Sequence, residues 1–388
     1  MHCVNKTIMK KIIFINDLKY PQGDAGSIRV QNFATALQLI GEDVKVISHG
    51  NRIEYNNKIE YEYKNVPFTL FYNKNKFIDR ISFIPKIIYW ILKNKSDIKS
   101  VIGYGSSMPL VLSLKLICKV LNINFICDVT EWYSKEQFSN PFAITYIFKN
   151  ILNKYILDKG VKIIAISYYL FDYFKNKGCN VVRIPIFCNL NDSKYITFRK
   201  KKHEKITFLY AGSPGKKDYL YNMLIGISQL EEEKLKNIRL IIAGINVYTL
   251  RTLIPEAAYE KIKNITEAKG RISHDEVISL YQISDFSLLL RDPQLRVSRA
   301  GFPSKVIESM SFKTPLICNY SSDLSHFLNK NNAIISKDYD PKSFREAIDY
   351  AVSLDSSEIL KISENAFDTV QKSFCMESIL NDLKNIIS

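Results

Sequence analysis

The sequence predicts an α/β protein of two doubly wound domains, each a parallel sheet with helices on both faces. Three observations predict it. Short apolar runs of strand length alternate with segments of helical periodicity, the order that builds a parallel sheet. The alternation stops in a polar, lysine-rich stretch at 192–205 and then starts again. The chain's 388 residues suit about two domains at roughly 150 residues each.

In the first half, strands are expected at 11–16, 44–48, 101–103, 124–129, 162–167 and 181–184. A helix over 26–40 ends at Gly41, another starts near Met108, and a third around 169–176 stops at Gly178. In the second half, strands are expected at 206–211, 237–243, 286–290 and 315–319. Helices follow the glycine-containing loop 212–217 and cover 272–281, 303–311, 344–352 and, as one or two pieces, 363–387. Pro303 falls at the first turn of its helix, where a missing N–H is harmless. The expected division is a first domain at 1–190, a second at 191–365, and a C-terminal helix at 366–388 that packs back on the first.

Hydrophobic residues make up 46% and charged residues 24%, which excludes a disordered chain. The longest apolar runs, 87–92 and 108–114, fall far short of the roughly 20 residues of a spanning helix. A basic start precedes the apolar run 12–15, which is too short for a signal peptide and ends in Asn16-Asp17, so a cytoplasmic protein is expected. Seven cysteines, an odd number without CxxC spacing, read as buried thiols, and five scattered histidines offer no metal pattern. Charge is uneven. Residues 1–190 hold 26 Lys/Arg against 14 Asp/Glu, or +12, and the remainder 28 against 25, or +3, which together give the formal +15. Such asymmetry suggests an anionic partner for the first half. Within it, residues 77–93 mix aromatic, aliphatic and cationic side chains, which fits a helix lying on an anionic bilayer and equally a core helix with its lysines in solvent. No zinc-finger, RNP or helix-turn-helix pattern points to nucleic acid.

Ligands of parallel sheets bind at the carboxyl ends of the strands, so the chemistry is sought in four loops. Residues 21–29 contain Gly23 and Gly26, with Ser27 and Arg29 at the start of the first helix; small residues admit a close backbone approach, but GxGxxG is absent. In 127–133, Asp128 and Glu131 stand at a strand end, where two carboxylates orient or deprotonate a hydroxyl, cap a helix, or pair with a lysine. In 211–217, Gly212, Ser213, Lys216 and Lys217 between strand and helix suit a phosphate, while the absence of the Walker pattern argues against an ATPase. In 290–310, Arg291, Arg296, Arg299 and Lys305 gather before a helix whose Ser304, Lys305 and Val306 amides would join them around a diphosphate, with Glu308 one turn on for ribose hydroxyls.

This last loop, with Gly301-Phe302, Glu308 and Thr314-Pro315-Leu316-Ile317, resembles the signature of family-4 glycosyltransferases of the GT-B fold. Gly212–Lys217 resembles that family's glycine and lysine element, and Arg271-Ile272 with the residues after them resembles the stretch around the nucleotide base. Ala165-Ile166-Ser167 and Arg183-Ile184-Pro185 resemble the elements before its interdomain linker. One departure stands out: the family's first signature glutamate, which contacts the transferred sugar, falls on Ala300.

The resemblance implies a nucleotide-diphosphate sugar in the second domain, bound by Gly212, Ser213, Lys216, Lys217, Arg271, Ile272, Arg296, Ser304, Lys305, Val306 and Glu308. An acceptor would dock on the first domain beside Gly23, Gly26, Ser27 and Arg29. It implies transfer with retention, the leaving phosphate taking the acceptor proton. Lys216 would stabilise that phosphate, and Asp128 and Glu131, with Glu131 favoured, would position the acceptor. Fixed cations would replace a metal, and no cofactor is expected. The expected partners are a nucleotide sugar, a glycan or lipid-linked acceptor in bacterial surface-polysaccharide synthesis and the anionic inner face of the cytoplasmic membrane, with peripheral attachment there; nucleic acid is not expected. The alternatives are a sugar-nucleotide epimerase of the same architecture and a non-catalytic binding protein.

Overall fold

The computed structural model describes residues 10–21, 25–49, 60–71, 76–104, 107–140, 142–192, 195, 204–215 and 217–388, with only the backbone of 76–81. Gly23 and Lys216 lie outside the described residues. The chain forms two compact units: one takes residues up to Phe187 together with Met376–Ser388, the other is Cys188–Cys375.

The first unit is an eight-stranded sheet. Its strands are β1 (Lys11–Lys19), β2 (Val44–His49), β3 (Glu60–Tyr63), β4 (Val66–Phe71), β5 (Ile98–Tyr104), β6 (Asn124–Val129), β7 (Lys162–Ala165) and β8 (Val181–Arg183), in the order β3-β4-β2-β1-β5-β6-β7-β8. All neighbours pair in parallel except β3 with β4. The central strands are apolar on both faces, as Ile12–Ile15 show, because helices cover both sides. Those helices are α1 (Ala25–Leu39), α2 (Lys76–Lys93), α3 (Met108–Leu121), α4 (Ile144–Ile151) and α5 (Tyr168–Asn176). α2 buries Phe83, Ile87 and Ile91, four residues apart, and exposes Tyr89 and Leu92.

The second unit has β9 (Ile206–Ala211), β10 (Ile238–Ala243), β11 (Thr266–Gly270), β12 (Phe286–Leu289), β13 (Leu316–Cys318) and β14 (Ile334–Ile335), in the all-parallel order β11-β10-β9-β12-β13-β14. In both sheets the chain winds outward in two directions from one central pair, β1 with β5 and β9 with β12. The crevice at such a reversal is where doubly wound sheets hold ligands.

The returning segment starts at Met376, ten residues later than expected. The reason is the helix Ser356–Ser373, whose capping box on Asp355 and buried Ile362, Ala366 and Val370 tie it to the second unit. Beyond it, Leu383, Ile386 and Ile387 join the core of the first unit. The strands at 60–71 have no counterpart in the sequence reading. β3 alternates exposed and half-buried residues at the sheet edge, so its apolar signal is weak.

Candidate functional site

At the reversal point of the second sheet, β9 delivers Tyr210, Ala211 and Gly212. Gly212 has φ +141, and its N–H donates to the Ala243 carbonyl at 2.9 Å. Gly244, at φ +119, lies so close that a Cβ there would sit 2.1 Å from the Gly212 oxygen. The two strand ends are thus pressed together, and glycine is required at both. Lys305 uses the room this leaves: a Cβ on Gly212 would come within 2.9 Å of the Lys305 Cε.

Around Lys305 stands a buried network centred on Asp218. One Asp218 oxygen accepts from the Lys305 ammonium and, at 3.1 Å, from the Tyr210 hydroxyl; the other accepts from Arg291 Nε at 2.9 Å. The Lys305 ammonium also sits 4.0 Å over the Tyr210 ring. Arg291 is clamped by Asn319, which accepts from its N–H at 2.9 Å and donates to its carbonyl at 2.7 Å. Burial opposes charge on Asp218, but Lys305 and Arg291 outweigh it and hold the carboxyl down at about 2. Burial pulls Lys305 below the ordinary lysine range while Asp218 supports its charge. The Lys305 side chain keeps 12% exposure against 7% for Arg291 and 2% for Asp218, so it is the least covered of the three.

The other expected residues of this unit divide. Ser213 is exposed and Lys217 half-buried in the loop after β9. Ser304 is half-buried at the start of its helix, but Val306 is buried and its N–H turns back to the Pro303 carbonyl at 3.2 Å, so the expectation that this amide meets an anion is corrected. Glu308 is half-buried one turn on, close enough to raise the hydroxyls of Tyr281 and Tyr195, after burial, above the tyrosine range. Arg271 is exposed, Ile272 packs against the Leu209 and Ala211 side of the sheet, Arg296 is half-buried, and Ala300 is buried.

At the reversal point of the first sheet the expectations change more. Arg29 and Asp128 are both buried and engage each other bidentately, Nε to Oδ2 at 2.8 Å and Nη2 to Oδ1 at 2.9 Å. The same guanidinium donates to the Pro185 and Ile184 carbonyls at 2.8 and 2.9 Å. Asp128 therefore anchors α1 and the segment after β8 to β6, and neither it nor Arg29 faces an acceptor. Gly26 and Ser27 are likewise buried, and the Ser27 hydroxyl donates to the Lys19 carbonyl.

Glu131 is half-buried and belongs to a different cluster. Its charge supports that of Lys149 on α4, a side chain only 4% exposed that burial otherwise drives below the lysine range. Asp17, at the end of β1, also faces Lys149. Burial raises the Asp17 carboxyl, opposed by a hydrogen bond from Ser107 and the charges of Lys149 and His49. Its Oδ1 is buried without a hydrogen-bond partner. Tyr133 completes the group, its hydroxyl raised by burial and then by Glu131. Among the described residues, no group of three His, Cys, Asp or Glu side chains is placed to hold a metal.

Asp218, Asp17, Lys149 and Tyr133 were missed in the sequence. Asp218 follows Lys217 directly, and Asp17 ends the first apolar run, so both carried a positional signal. Lys149 carried none, because a lysine in an amphipathic helix reads as solvent-facing.

Residues 192–369 match the model of a family described as Glycosyl transferases group 1. The matched residues lie within the second unit. No curated protein matches the sequence. Among solved structures, the chain is similar to sucrose-phosphate synthase from Thermosynechococcus elongatus, with TM-score 0.72, 14% identity, and 97% of this chain and 98% of that one covered. It is similar also to a glycosyltransferase from Rickettsia africae, at TM-score 0.69, 18% identity and the same coverages, 97% and 98%. HepE from Anabaena, in complex with UDP and glucose, gives TM-score 0.66, 12% identity and again 97% and 98%. At these identities the likeness is one of fold, and it shows the GT-B architecture.

Proposed function

We propose that the protein moves a sugar from a nucleotide-diphosphate donor to a hydroxyl of a glycan, carried on a lipid, with retention and without a metal, as a family-4 enzyme of surface-polysaccharide synthesis. The observation that carries this reading is the Asp218 network, which holds Lys305 and Arg291 at the reversal point of the second sheet. As the glycosidic bond breaks, negative charge grows on the β-phosphate. A preorganised cation stabilises that charge most where water is scarce. Lys305, half-withdrawn onto Asp218 and Tyr210, is placed to supply it, with Lys217 in the neighbouring loop and Lys216 next to it in the sequence; Asp218 keeps the cluster from being an uncompensated pile of positive charge. Glu308 would take the ribose hydroxyls. The crystallised HepE complexes with UDP and with UDP-glucose support a nucleotide sugar in this fold.

In the first unit, Glu131, Asp17 and Lys149 offer hydrogen-bond acceptors and a donor for an acceptor's hydroxyls. Retention follows if the leaving phosphate takes the acceptor proton on the face it departs from, and no strong protein base is then required. The protein would act in the cytoplasm, attached peripherally to the anionic inner face of the membrane that carries its acceptor; among the described residues no helix is long and apolar enough to cross it.

The test is nucleotide release from UDP-glucose and related nucleotide sugars, with and without lipid extract. The expected outcome is release stimulated by lipid, a product with the donor's anomeric configuration, and loss of roughly 100-fold or more in Lys305→Ala. Undiminished release in Lys305→Ala overturns the donor-site assignment. Epimer formation without acceptor would identify an epimerase, and tight nucleotide binding with no turnover a binding protein.

A further inference from the structure

Helix α4 is built inside out. A surface helix in water ordinarily turns its apolar stripe to the core and its charges outward. Here the side chain turned inward is Lys149, drawn toward Glu131 and Asp17, while Ile144 is 67% exposed and Phe148 stands outward beside it. Phe142, just before the helix, is 76% exposed, and Tyr155, in the turn after it, is exposed as well. α3 packs alongside and adds exposed Leu116 and Val120. Scattered apolar side chains on a surface need no explanation, but a concentration on two adjacent elements marks an interaction face.

Lysines predominate around this face, with Glu136 exposed in the turn beside α4. Lys119, Lys154 and Lys159 are exposed along it, and the nearby Asp158 is already paired with Lys115. The face belongs to the half of the chain that carries +12 of the formal +15. Apolar side chains bordered by lysines complement the interface of an anionic bilayer, where rings and aliphatic groups enter at headgroup depth and ammonium groups meet lipid phosphates.

We propose that the α3–α4 face seats the first unit on an anionic lipid bilayer, with Phe142, Ile144 and Phe148 in the interface. The inference rests on the membrane attachment given under the proposed function and assigns it a surface. It also gives the inverted helix a purpose. With Lys149 drawn inward toward Glu131 and Asp17, Ile144 and Phe148 are left for the bilayer.

The experiment is flotation of the full chain with vesicles of phosphatidylcholine, with and without phosphatidylglycerol. Wild type is expected to float only with the anionic vesicles and to be released by high salt. Ile144→Ser with Phe148→Ser, and separately Val120→Asp, are expected to lower the bound fraction about tenfold, while circular dichroism and nucleotide binding stay as in wild type. Tyr89→Ser with Leu92→Ser, on exposed positions of α2, is expected to float normally. Undiminished flotation of the α3 and α4 variants, or loss only in the α2 variant, overturns the assignment of the surface and leaves membrane attachment standing. No flotation of wild type overturns both. If sedimentation shows that the α4 variant converts a dimer into a monomer, the face binds a second copy of the chain and the proposal is wrong.

Discussion

The two reversal points hold a carboxylate in opposite ways. In the second unit, Asp218 is held down at about 2 because two cations press on it. In the first, Asp17 is raised by burial, with one oxygen lacking a partner. The same location in the same kind of sheet thus gives a carboxylate neutralised by two cations and a carboxylate with an oxygen left for a donor. The lesson is that partners, not position at a strand end, decide what an acid does: cations hold one down and burial raises the other.

Removing each acid sharpens the contrast, and the largest effect is expected from Asp218→Ala. It strands Arg291 and Lys305 in a buried site, a loss of about 3–5 kcal/mol, which lowers Tm by roughly 10 °C and weakens nucleotide binding together. Asp128→Ala strands Arg29 by the same physics and should lower Tm comparably, yet leave nucleotide affinity unchanged. Equal damage to affinity in both would break the distinction between a binding network and an anchor. The Asp218 contribution also has a pH signature. A carboxyl depressed in the folded state stabilises above the unfolded value of about 3.9 and loses that stabilisation as pH falls toward 2, so acid unfolding of wild type should steepen in that window and that of the variant should not.

Next in size is Gly244→Ala. A methyl 2.1 Å from the Gly212 oxygen, at φ +119, should cost at least about 2 kcal/mol and displace the loop that borders Lys305, weakening nucleotide binding as well as Tm. The smallest effect has the opposite sign. Asp17→Asn should raise Tm at neutral pH, because a carboxyl raised in the folded state opposes folding once pH exceeds its unfolded value; the gain should vanish near pH 4, where the aspartate is neutralised. A drop in Tm on this substitution would mean that Asp17 is a structural ion-pair partner like Asp128.

Most of the architecture was legible in the sequence because buried parallel strands are apolar on both faces: β6 and β9 coincide with their expected limits, and β1 and β2 differ only at their ends. Of the expected donor residues, the structure brings Gly212 and Lys305 together, and Glu308 stands one turn along the helix that contains Lys305. The acid that holds Lys305 was not read, because a lone aspartate beside lysines looks like a solvated pair. The acceptor side misled for a related reason. Asp128 and Glu131 stand three residues apart and look equivalent, and only packing shows that Arg29 occupies one of them. Lys149 was illegible because side-chain periodicity gives the faces of a helix without telling which one turns inward.

The central claim is that the cations at the second reversal point bind a nucleoside diphosphate. Calorimetric titration of wild type and Lys305→Ala with UDP, GDP, ADP and CDP tests it most directly. The account predicts that at least one of them binds wild type and that its affinity falls about 10- to 100-fold in the variant, which stays folded through the remaining Asp218–Arg291 pair. Equal affinity of both proteins, or no binding of any diphosphate to wild type, would contradict it.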